Sequence, residues 1–282
     1  MKELYELGYP ISELCKCAEI GRASYYKWLN RSENQRDKEN KILLDEVINL
    51  YSEVNGIYGY RRITLNINRK LNSKYNHKRI YRLMKSVNLT AVIRKKRKKY
   101  IQSAPQITAE NVLNREFVAD NPNEKWLTDV TEFKLTSGEK AYLSAILDLG
   151  DNSIVSHVLS TSNNNKLVFD TLDKAIIANP TATPLFHSDR GFQYTSKSFK
   201  NKLNAINATQ SMSRVGRCID NGPMEGFWGT LKAEMYYLRK FNTYEELEQA
   251  INEYIEFYNT KRLQKKLKGM APFEYRSHTL VA

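Results

Sequence analysis

The stretch KWLTDVTEFKLTSGEKAYLSAILDLGDNSIVSHVLS, residues 125–160, decides the fold. Its first part, 125–135, is rich in β-branched and aromatic residues, and TSGEK (136–140) has the composition of a turn. Residues 141–150 form an apolar run, and residues 153–160 form another after a second short turn. Three such runs joined by tight turns predict an antiparallel β-meander.

The sequence after this meander alternates between helical and strand patterns. In order they predict an amphipathic helix, a buried strand, a helix, a short strand and a helix, at 163–180, 183–189, 195–205, 207–211 and 221–238. Three strands followed by helix, strand, helix, strand and helix is the element order of the ribonuclease H-like fold. We therefore predict an α/β domain with a mixed five-stranded sheet flanked by helices.

The sequence before the meander is helical. Residues 10–29 place apolar side chains at helical spacing on both sides of Gly21, with Ala23 and Tyr26 in the stripe that follows it. This is a helix-turn-helix shape that ordinary helical hairpins share. Residues 37–53 predict a further helix with Ile42, Leu43, Val47 and Leu50 on one side. Residues 76–89 predict another, for which Asn76 is a candidate N-cap. An all-α helix-turn-helix region thus precedes the α/β domain.

The charge distribution singles out the first third of the 282-residue chain, whose formal net charge is +13. Residues 1–100 hold 23 Lys and Arg against 10 Asp and Glu, whereas residues 101–282 hold 21 of each. Residues 54–100 alone carry 15 basic residues and no acidic one. Because neutralising phosphates releases counterions, nucleic acid is the favoured partner. A solvated basic face and an anionic membrane surface are the alternatives.

One predicted helix of this segment has a basic face suited to DNA. Its buried stripe would be Ile80, Leu83, Met84 and Val87. Its exposed face would then be Lys78, Arg79, Arg82 and Lys85. The other candidate DNA-binding residues are Arg61 and Arg62, which open the preceding helix, and the run Arg94, Lys95, Lys96, Arg97, Lys98 and Lys99. That run could equally be a solvated linker.

Composition argues against several other classes of protein. No run approaches the roughly 20 apolar residues of a membrane helix, and the first residues lack the apolar segment of a signal peptide. The cysteines, Cys15, Cys17 and Cys218, provide neither a disulfide framework nor a zinc-site spacing, which fits a reducing cytoplasmic setting. The sequence contains no P-loop, so we expect no ATP requirement.

Three acidic residues fall on three different predicted elements. Asp129 is in the middle of the first strand, Asp189 ends a later strand, and Glu225 lies near the start of a helix. A carboxylate inside an apolar strand is costly unless it is paired or binds metal, and carboxylate oxygens suit Mg²⁺. Taken singly, Asp189 could instead cap a turn and Glu225 a helix. A tyrosine or serine nucleophile also stays open.

Longer blocks of the chain resemble the integrase-like DDE transposases of bacterial insertion sequences, specifically the second-frame product of the IS3 family. The matching blocks include WLTDVTEF and HSDRGFQYTS and lie at 24–29, 58–63, 77–84, 126–133, 187–196, 211–234 and 254–275. Between Asp189 and Glu225 lie 35 residues, the separation familiar in this superfamily. Lys232, two helical turns past Glu225, matches the basic residue of the family signature. The block around Glu225 otherwise varies, and the N-terminus is short.

The resemblance implies an enzyme that cuts and joins DNA. Asp129, Asp189 and Glu225 would ligate two Mg²⁺ or Mn²⁺ ions, and Lys232 would contact transposon-end DNA. Water would attack a phosphodiester at the element's end, and the freed 3′ hydroxyl would attack another. The implied partners are double-stranded DNA at terminal inverted repeats, target DNA, further copies of the chain, and a first-frame protein, separate or fused. The implied location is the bacterial cytoplasm, with nucleoid association through DNA.

Residues near these acids receive lesser roles. His187 would support the second acid or simply fill a buried strand position. Asp220 and Asn221 would form a turn and cap the following helix. Asp148 and Asp151 lie outside the matching blocks and are assigned to turns.

The predicted organisation has five segments. They are a helix-turn-helix-like segment, a basic helical DNA-binding domain, a linker, a ribonuclease H-like catalytic core and a C-terminal helical extension of the core, at 1–35, 36–100, 101–122, 123–240 and 241–282. Two functional alternatives to an active transposase stay open. One is a domesticated or regulatory DNA-binding protein with a relic nuclease fold, and the other is a ribonuclease H-type or junction nuclease.

Overall fold

The computed structural model describes residues 1–30, 34–93, 112–114, 116–213 and 221–281. Its centre is one five-stranded sheet in the order β3-β2-β1-β4-β5. The strands are β1 (Lys125–Lys134), β2 (Lys140–Asp148), β3 (Ile154–Ser160), β4 (Leu185–Ser188) and β5 (Thr209–Met212). The first three strands pair antiparallel, whereas β4 pairs parallel to both β1 and β5. The predicted meander and the mixed sheet are therefore confirmed.

Eleven α-helices surround or precede this sheet in the described part of the chain. They are α1 (Lys2–Glu6), α2 (Ile11–Cys17), α3 (Arg22–Leu29), α4 (Gln35–Glu53), α5 (Tyr60–Lys70), α6 (His77–Ser86), α7 (Asn165–Ala178), α8 (Lys197–Ala205), α9 (Gly222–Glu234), α10 (Tyr244–Thr260) and α11 (Pro272–Val281). None of the described helices is both long enough and apolar enough to cross a membrane.

Strand alternation gives the sheet two apolar faces, each covered by helices. In β1, Leu127 and Phe133 belong to the cluster that includes α9 and α10, whereas Trp126 belongs to the cluster on the opposite face with α7 and α8. Successive strand residues point to opposite faces, so the odd-numbered positions of β1 face α9. Asp129 is one of these odd-numbered positions.

Helices α4, α5 and α6, which we call the helical domain, have a core of their own. Leu43, Val47, Ile63, Ile67 and Ile80 are almost fully buried in it. Asn76 caps α6 as predicted, because its side-chain oxygen accepts a hydrogen bond from the amide of Lys78 at 2.8 Å. The loops that connect these helices have ordinary lengths. The helices can therefore pack on one another around a small core of their own.

Several predicted core positions in the helical region are wrong. Ile42 is 65% exposed, and Val87, which follows the last residue of α6, is 36% exposed. In α3, Tyr25 is buried and Tyr26 is exposed, so the predicted stripe was shifted by one residue. Ile42 directly precedes the buried Leu43 on the long helix α4, and neighbouring helix positions face different directions. The short helices α3 and α6 give too few turns for the apolar period to fix which face is buried.

The helical domain docks on the C-terminal helices of the α/β unit. Phe257 of α10 packs against the helical-domain core, with its ring centroid 6.4 Å from that of Tyr58. Arg69 of α5 pairs with Glu274 of α11 and donates to the Gly269 carbonyl at 3.2 Å. These contacts join segments that are about 200 residues apart in sequence.

Candidate active site

Asp129, Asp189 and Glu225 occupy the predicted elements. Asp129 is half-buried inside β1, Asp189 is exposed directly after the last residue of β4, and Glu225 is exposed in the first turn of α9. Because β1 and β4 are neighbouring parallel strands and α9 covers the same face as Asp129, the three acids lie at one edge of the sheet. This is the kind of position at which open sheets place ligand groups.

The Asp129 carboxylate is held on both sides. Its Oδ1 accepts from the amide of Val130 at 2.8 Å, and its Oδ2 accepts from the indole Nε1 of Trp228 at 3.1 Å. Trp228 lies on α9, one helical turn beyond Glu225. The indole therefore fixes the direction of the first acid and ties β1 to the helix that carries the third.

Electrostatics also link the three acids. Burial raises the pKa of Asp129 to about 6, and the negative charges of Asp189 and Glu225 add to the rise. The hydrogen bonds from Val130 and Trp228 act in the opposite direction. An acid that is crowded by two like charges is stabilised in its charged form by a cation.

The backbone around Asp189 is tight. The amide of Gly191 donates to Asp189 Oδ1 at 2.8 Å. A Cβ added at Gly191 would lie 3.0 Å from that same oxygen and 2.9 Å from Oε1 of Gln193. Glycine therefore lets this turn close on the carboxylate, and the second acid is positioned by the turn that follows its strand.

The donor chemistry of these residues fits a hard divalent cation, which prefers carboxylate oxygens. In the part of the chain that the structure describes, however, no three His, Cys, Asp or Glu side chains stand close enough to enclose one ion. Metal binding would therefore draw the three carboxylates closer together. Asp189 and Glu225 are exposed, whereas Asp129 is half-buried and held by Trp228.

Lys232 points back to the sheet. Its ammonium donates to the hydroxyl of Thr131 at 2.6 Å and to the Glu132 carbonyl at 3.0 Å, and it lies over the Phe133 ring. Burial lowers its pKa, against the raising effects of Glu132 and Asp129. The contact of Lys232 with DNA stays a prediction. To make it, the ammonium would have to exchange its hydrogen bonds to Thr131 and Glu132 for a contact with DNA.

The candidate DNA-binding residues of the helical domain separate into two groups. Arg61, Lys78, Arg82 and Lys85 are exposed. Arg62 pairs with Glu234 at 3.0 Å, and Arg79 pairs with Glu39 at 3.2 Å. Arg62 and Arg79 are thus engaged in ion pairs within the protein. Residues 94–99 lie outside the described part of the chain.

The contacts correct one lesser assignment and extend two others. Asn221 does not cap α9; its side chain donates instead to the Thr128 carbonyl of β1 at 3.0 Å. Asp148 and Asp151 are fully buried and pair with Arg276 of α11 at 2.8 and 2.6 Å, so they do more than shape a turn. No local pattern of the sequence pointed to this network, because Arg276 lies more than 100 residues from Asp148.

His187 and Asp220 complete the predicted set. His187 is buried between the hydroxyls of Ser211 at 2.8 Å and Ser213 at 3.0 Å, which makes it a strand-packing residue that joins β4 to β5. Asp220 lies outside the described residues. The histidine therefore supports the sheet edge from which Asp189 projects.

A tyrosine nucleophile is disfavoured at this site. Tyr194 is buried close enough to Asp129 and Asp189 to be affected by their charges, and its hydroxyl lies 3.3 Å from that of Thr128. Burial raises its pKa well above 10, and Asp129 and Asp189 add to the rise. A phenol that resists ionisation is a poor attacking group.

Family models match three parts of the chain. The integrase core domain matches residues 119–218, a second integrase core model matches residues 225–280, and the HTH-like domain matches residues 37–97. Together they span the sheet with its C-terminal helices and the helical domain.

Proteins of bacterial insertion sequences are also similar to this chain over most of its length. The InsK protein of insertion sequence element IS150 from Escherichia coli K12 is 43% identical over 99% of this chain and 98% of its own length. The transposase of IS904 from Lactococcus lactis is 33% identical over 89% of this chain and 99% of its own length. The transposase InsF of IS3A from Escherichia coli K12 is 26% identical over 99% and 98%. With the mixed sheet, these similarities establish that the chain belongs to the IS3 family of insertion-sequence DNA transposases, enzymes of the DDE polynucleotidyl transferase type.

Proposed function

We propose that Asp129, Asp189 and Glu225 are the catalytic triad and together hold two Mg²⁺ or Mn²⁺ ions. The observation that carries this proposal is the placement of the acids, with Asp129 inside β1, Asp189 directly after β4 and Glu225 in the first turn of α9. Burial and the charges of the other two acids raise the pKa of Asp129 to about 6, in keeping with that placement. Three carboxylates directed at one small site repel each other unless cations lie between them. A pair of ions roughly 4 Å apart is the arrangement that suits phosphoryl transfer.

The protein's own contribution is to position the acids and the DNA strand. When bound, the ions would activate the attacking oxygen and stabilise the leaving oxygen. Trp228 and the Val130 amide hold the Asp129 carboxylate, and the Gly191 amide holds Asp189. Glu225 lies in the first turn of α9, where the helix dipole favours its negative charge. In this arrangement water attacks first at the element's end, and the freed 3′ hydroxyl attacks second.

We further propose how the molecule divides this work. Residues 123–240 form the catalytic core, residues 241–282 extend it, residues 36–100 bind DNA, and residues 1–35 and 101–122 are an N-terminal segment and a linker. The partners are duplex DNA at the terminal inverted repeats and target DNA. Several copies of the chain act together, because two element ends must be joined. A first-frame protein assembles with them or is fused to them. The location is the bacterial cytoplasm, on the nucleoid.

The test is strand cleavage by conservative variants. Asp129→Asn, Asp189→Asn and Glu225→Gln each remove a charge and keep the side-chain shape, so each should lower Mg²⁺-dependent cleavage of an inverted-repeat duplex by at least roughly a hundredfold. DNA binding, measured by gel shift without metal, should stay intact. Cleavage is assayed in both Mg²⁺ and Mn²⁺.

A matched control is Asp170→Asn. Asp170 lies on α7, on the opposite face of the sheet from α9, and within the described residues its one ion pair is with Lys166, one turn away. Exposed pairs of this kind contribute little, so cleavage should be unchanged. Wild-type cleavage rates in any of the three triad variants would remove that acid from the assignment. Cleavage of RNA–DNA hybrids without a preference for terminal repeats would instead favour a ribonuclease H-type activity.

A further inference from the structure

A cleft of about 530 Å³ opens between the helical domain and the segment that follows α10. Arg61 and His77 line it from the side of the helical domain, and Lys265 and Lys266 line it from the opposite side. The last two belong to residues 261–268, which we call the lysine loop. The cleft thus has one wall from residues 1–100, which carry a strong basic excess, and one wall from residues 101–282, whose total charge is balanced.

The walls of the cleft are basic. None of its described lining residues is Asp or Glu. At the floor, Arg62 and Arg262 both pair with the buried carboxylate of Glu234, at 3.0 and 2.8 Å. Because two arginines share one carboxylate, one of the positive charges is not neutralised. The floor therefore adds to the charge of the walls.

The lysine loop is itself a concentrated positive feature. It carries Lys261, Arg262, Lys265, Lys266 and Lys268 and no acidic residue. All four lysines are exposed, and among the described residues no carboxylate forms an ion pair with any of them. This local excess is hidden in the balanced total of residues 101–282 because acidic residues elsewhere offset it.

The shape of the lysine loop is fixed. The amide of Gln264 donates to the Met270 carbonyl at 2.9 Å, and the amide of Gly269 donates to the Gln264 carbonyl at 3.0 Å. Lys268 and Gly269 both adopt positive φ, which closes the turn. Arg69 of α5 donates to the Gly269 carbonyl and so holds the loop against the helical domain. The backbone that carries the lysines therefore adds little ordering cost on binding.

The two helices that face the loop begin with basic residues. Neither α5 nor α6 has an acidic residue in its first turn, although acidic residues are favoured there. Arg61 and Arg62 occupy the first turn of α5, and α5 has no side-chain cap. Positive side chains beside the positive end of a helix raise the local potential. An anionic partner would offset this cost.

We propose that this cleft binds the phosphodiester backbone of duplex DNA, with Lys265 and Lys266 on one side and Arg61 on the other. The DNA-contacting surface would then cross from the helical domain to the C-terminal extension. The proposal rests on the proposed function only in taking duplex DNA as the partner. It requires no particular assignment of the catalytic acids.

The test measures how DNA binding depends on salt. The full-length chain and its Lys265→Ala/Lys266→Ala variant bind a random-sequence duplex in EDTA over a series of salt concentrations. Each phosphate contact on duplex DNA contributes about 0.9 to the slope of log K against log [salt], so the double variant should lower the slope by about 1.8. Affinity near physiological salt should fall at least roughly tenfold. A Lys265→Arg/Lys266→Arg variant should keep the wild-type slope.

The matched control removes two lysines from the opposite face of the sheet. Lys174 lies on α7 and Lys200 on α8, both exposed, and Lys174→Ala/Lys200→Ala should leave the slope unchanged. Equal slope losses in the two double variants would overturn the proposal, since the loss would then reflect net charge alone. An unchanged slope in Lys265→Ala/Lys266→Ala would also overturn it.

Chemical footprinting gives a second and independent readout. Lysine acylation of the free and the DNA-bound chain, followed by mass spectrometry, should show protection of Lys265 and Lys266 by DNA and none of Lys174. Equal reactivity of Lys266 with and without DNA would contradict the cleft. Because both experiments are done without metal, failure of the triad assignment would appear only in cleavage and would leave these results unaffected.

Discussion

At the scale of single residues, the side chain of Asp129 lies between β1 and α9 and is held by Val130 and Trp228. Its surroundings oppose its charge while no cation is bound, since burial and two neighbouring acids raise its pKa to about 6. The ordinary pKa of this group is 3.8, so the metal-free folded protein takes up a proton that the unfolded chain does not. This side chain's contribution to stability therefore increases as pH falls between these two values.

The same shift predicts a pH-dependent response to metal. A metal must displace the proton from Asp129, so Mg²⁺ should raise the thermal unfolding midpoint clearly at about pH 7.5 and much less at about pH 5. Differential scanning calorimetry with and without Mg²⁺ measures this. In Asp129→Asn the metal-dependent rise should vanish at both pH values. An equal rise of the wild type at both pH values would separate Asp129 from metal binding.

Glu234 is a second residue whose environment decides its role. Burial alone would raise its pKa, but the hydrogen bonds and charge of Arg262, with the charge of Arg62, outweigh burial and lower the pKa below 4.5. Tyr254 donates a further hydrogen bond at 2.9 Å. The stabilisation from this carboxylate is thus complete above about pH 4.5 and is lost as pH falls below that value.

At the scale of elements, the turn between β2 and β3 serves as the docking point for α11. Asp148 and Asp151 of this turn pair with Arg276, and Gly150 lies between them. The amide of Gly150 donates to Asp148 Oδ1 at 2.8 Å. A Cβ at Gly150 would lie 2.3 Å from the carbonyl oxygen of Asn121, which is backbone and cannot rotate away.

We therefore expect Gly150→Ala to destabilise the protein by roughly 2 kcal/mol or more through overpacking. The control is Gly229→Ala on α9, where an added Cβ meets nothing within 4 Å and helix propensity improves by about 1 kcal/mol. Urea unfolding followed by circular dichroism compares the two. If Gly150→Ala unfolds at the wild-type urea concentration, the close approach is not a constraint on this turn.

At the scale of the whole molecule, the Glu234 cluster couples the helical domain to the α/β unit. Arg62 comes from α5, Glu234 from the end of α9, and Arg262 from the segment after α10. Glu234 and Arg262 are both less than 8% exposed. A buried charge that loses its partner is costly, whereas an exposed pair contributes little.

Glu234→Gln should therefore lower the free energy of unfolding by roughly 3–5 kcal/mol, because it leaves Arg262 buried without a counter-charge. Glu274→Gln breaks the more exposed pair with Arg69 and should cost at most about 1 kcal/mol. Equilibrium unfolding in urea measures both. If the two variants lose similar free energies of unfolding, burial does not determine how much the Glu234 cluster contributes to stability.

The sequence by itself determined the sheet, the order of its elements and the three positions of the acids. It did so because strands and turns have strong local signatures, and because the matching blocks extend along nearly the whole chain. It predicted less well in the short helices, where Tyr25 and not Tyr26 is buried. Few helical turns give a weak period, so tertiary packing chooses the buried face.

Only the tertiary structure decided which charged residues meet. The roles of Arg62 in the Glu234 cluster and of Asp148 with Arg276 depend on contacts across more than 100 residues of sequence, which no local pattern encodes. The same holds for the basic surface. Charge counts along the chain divided it into a basic first third and a neutral remainder, but folding places the lysine loop beside Arg61. Electrostatic potential follows distance in space, so the surface that faces a polyanion is a property of the fold.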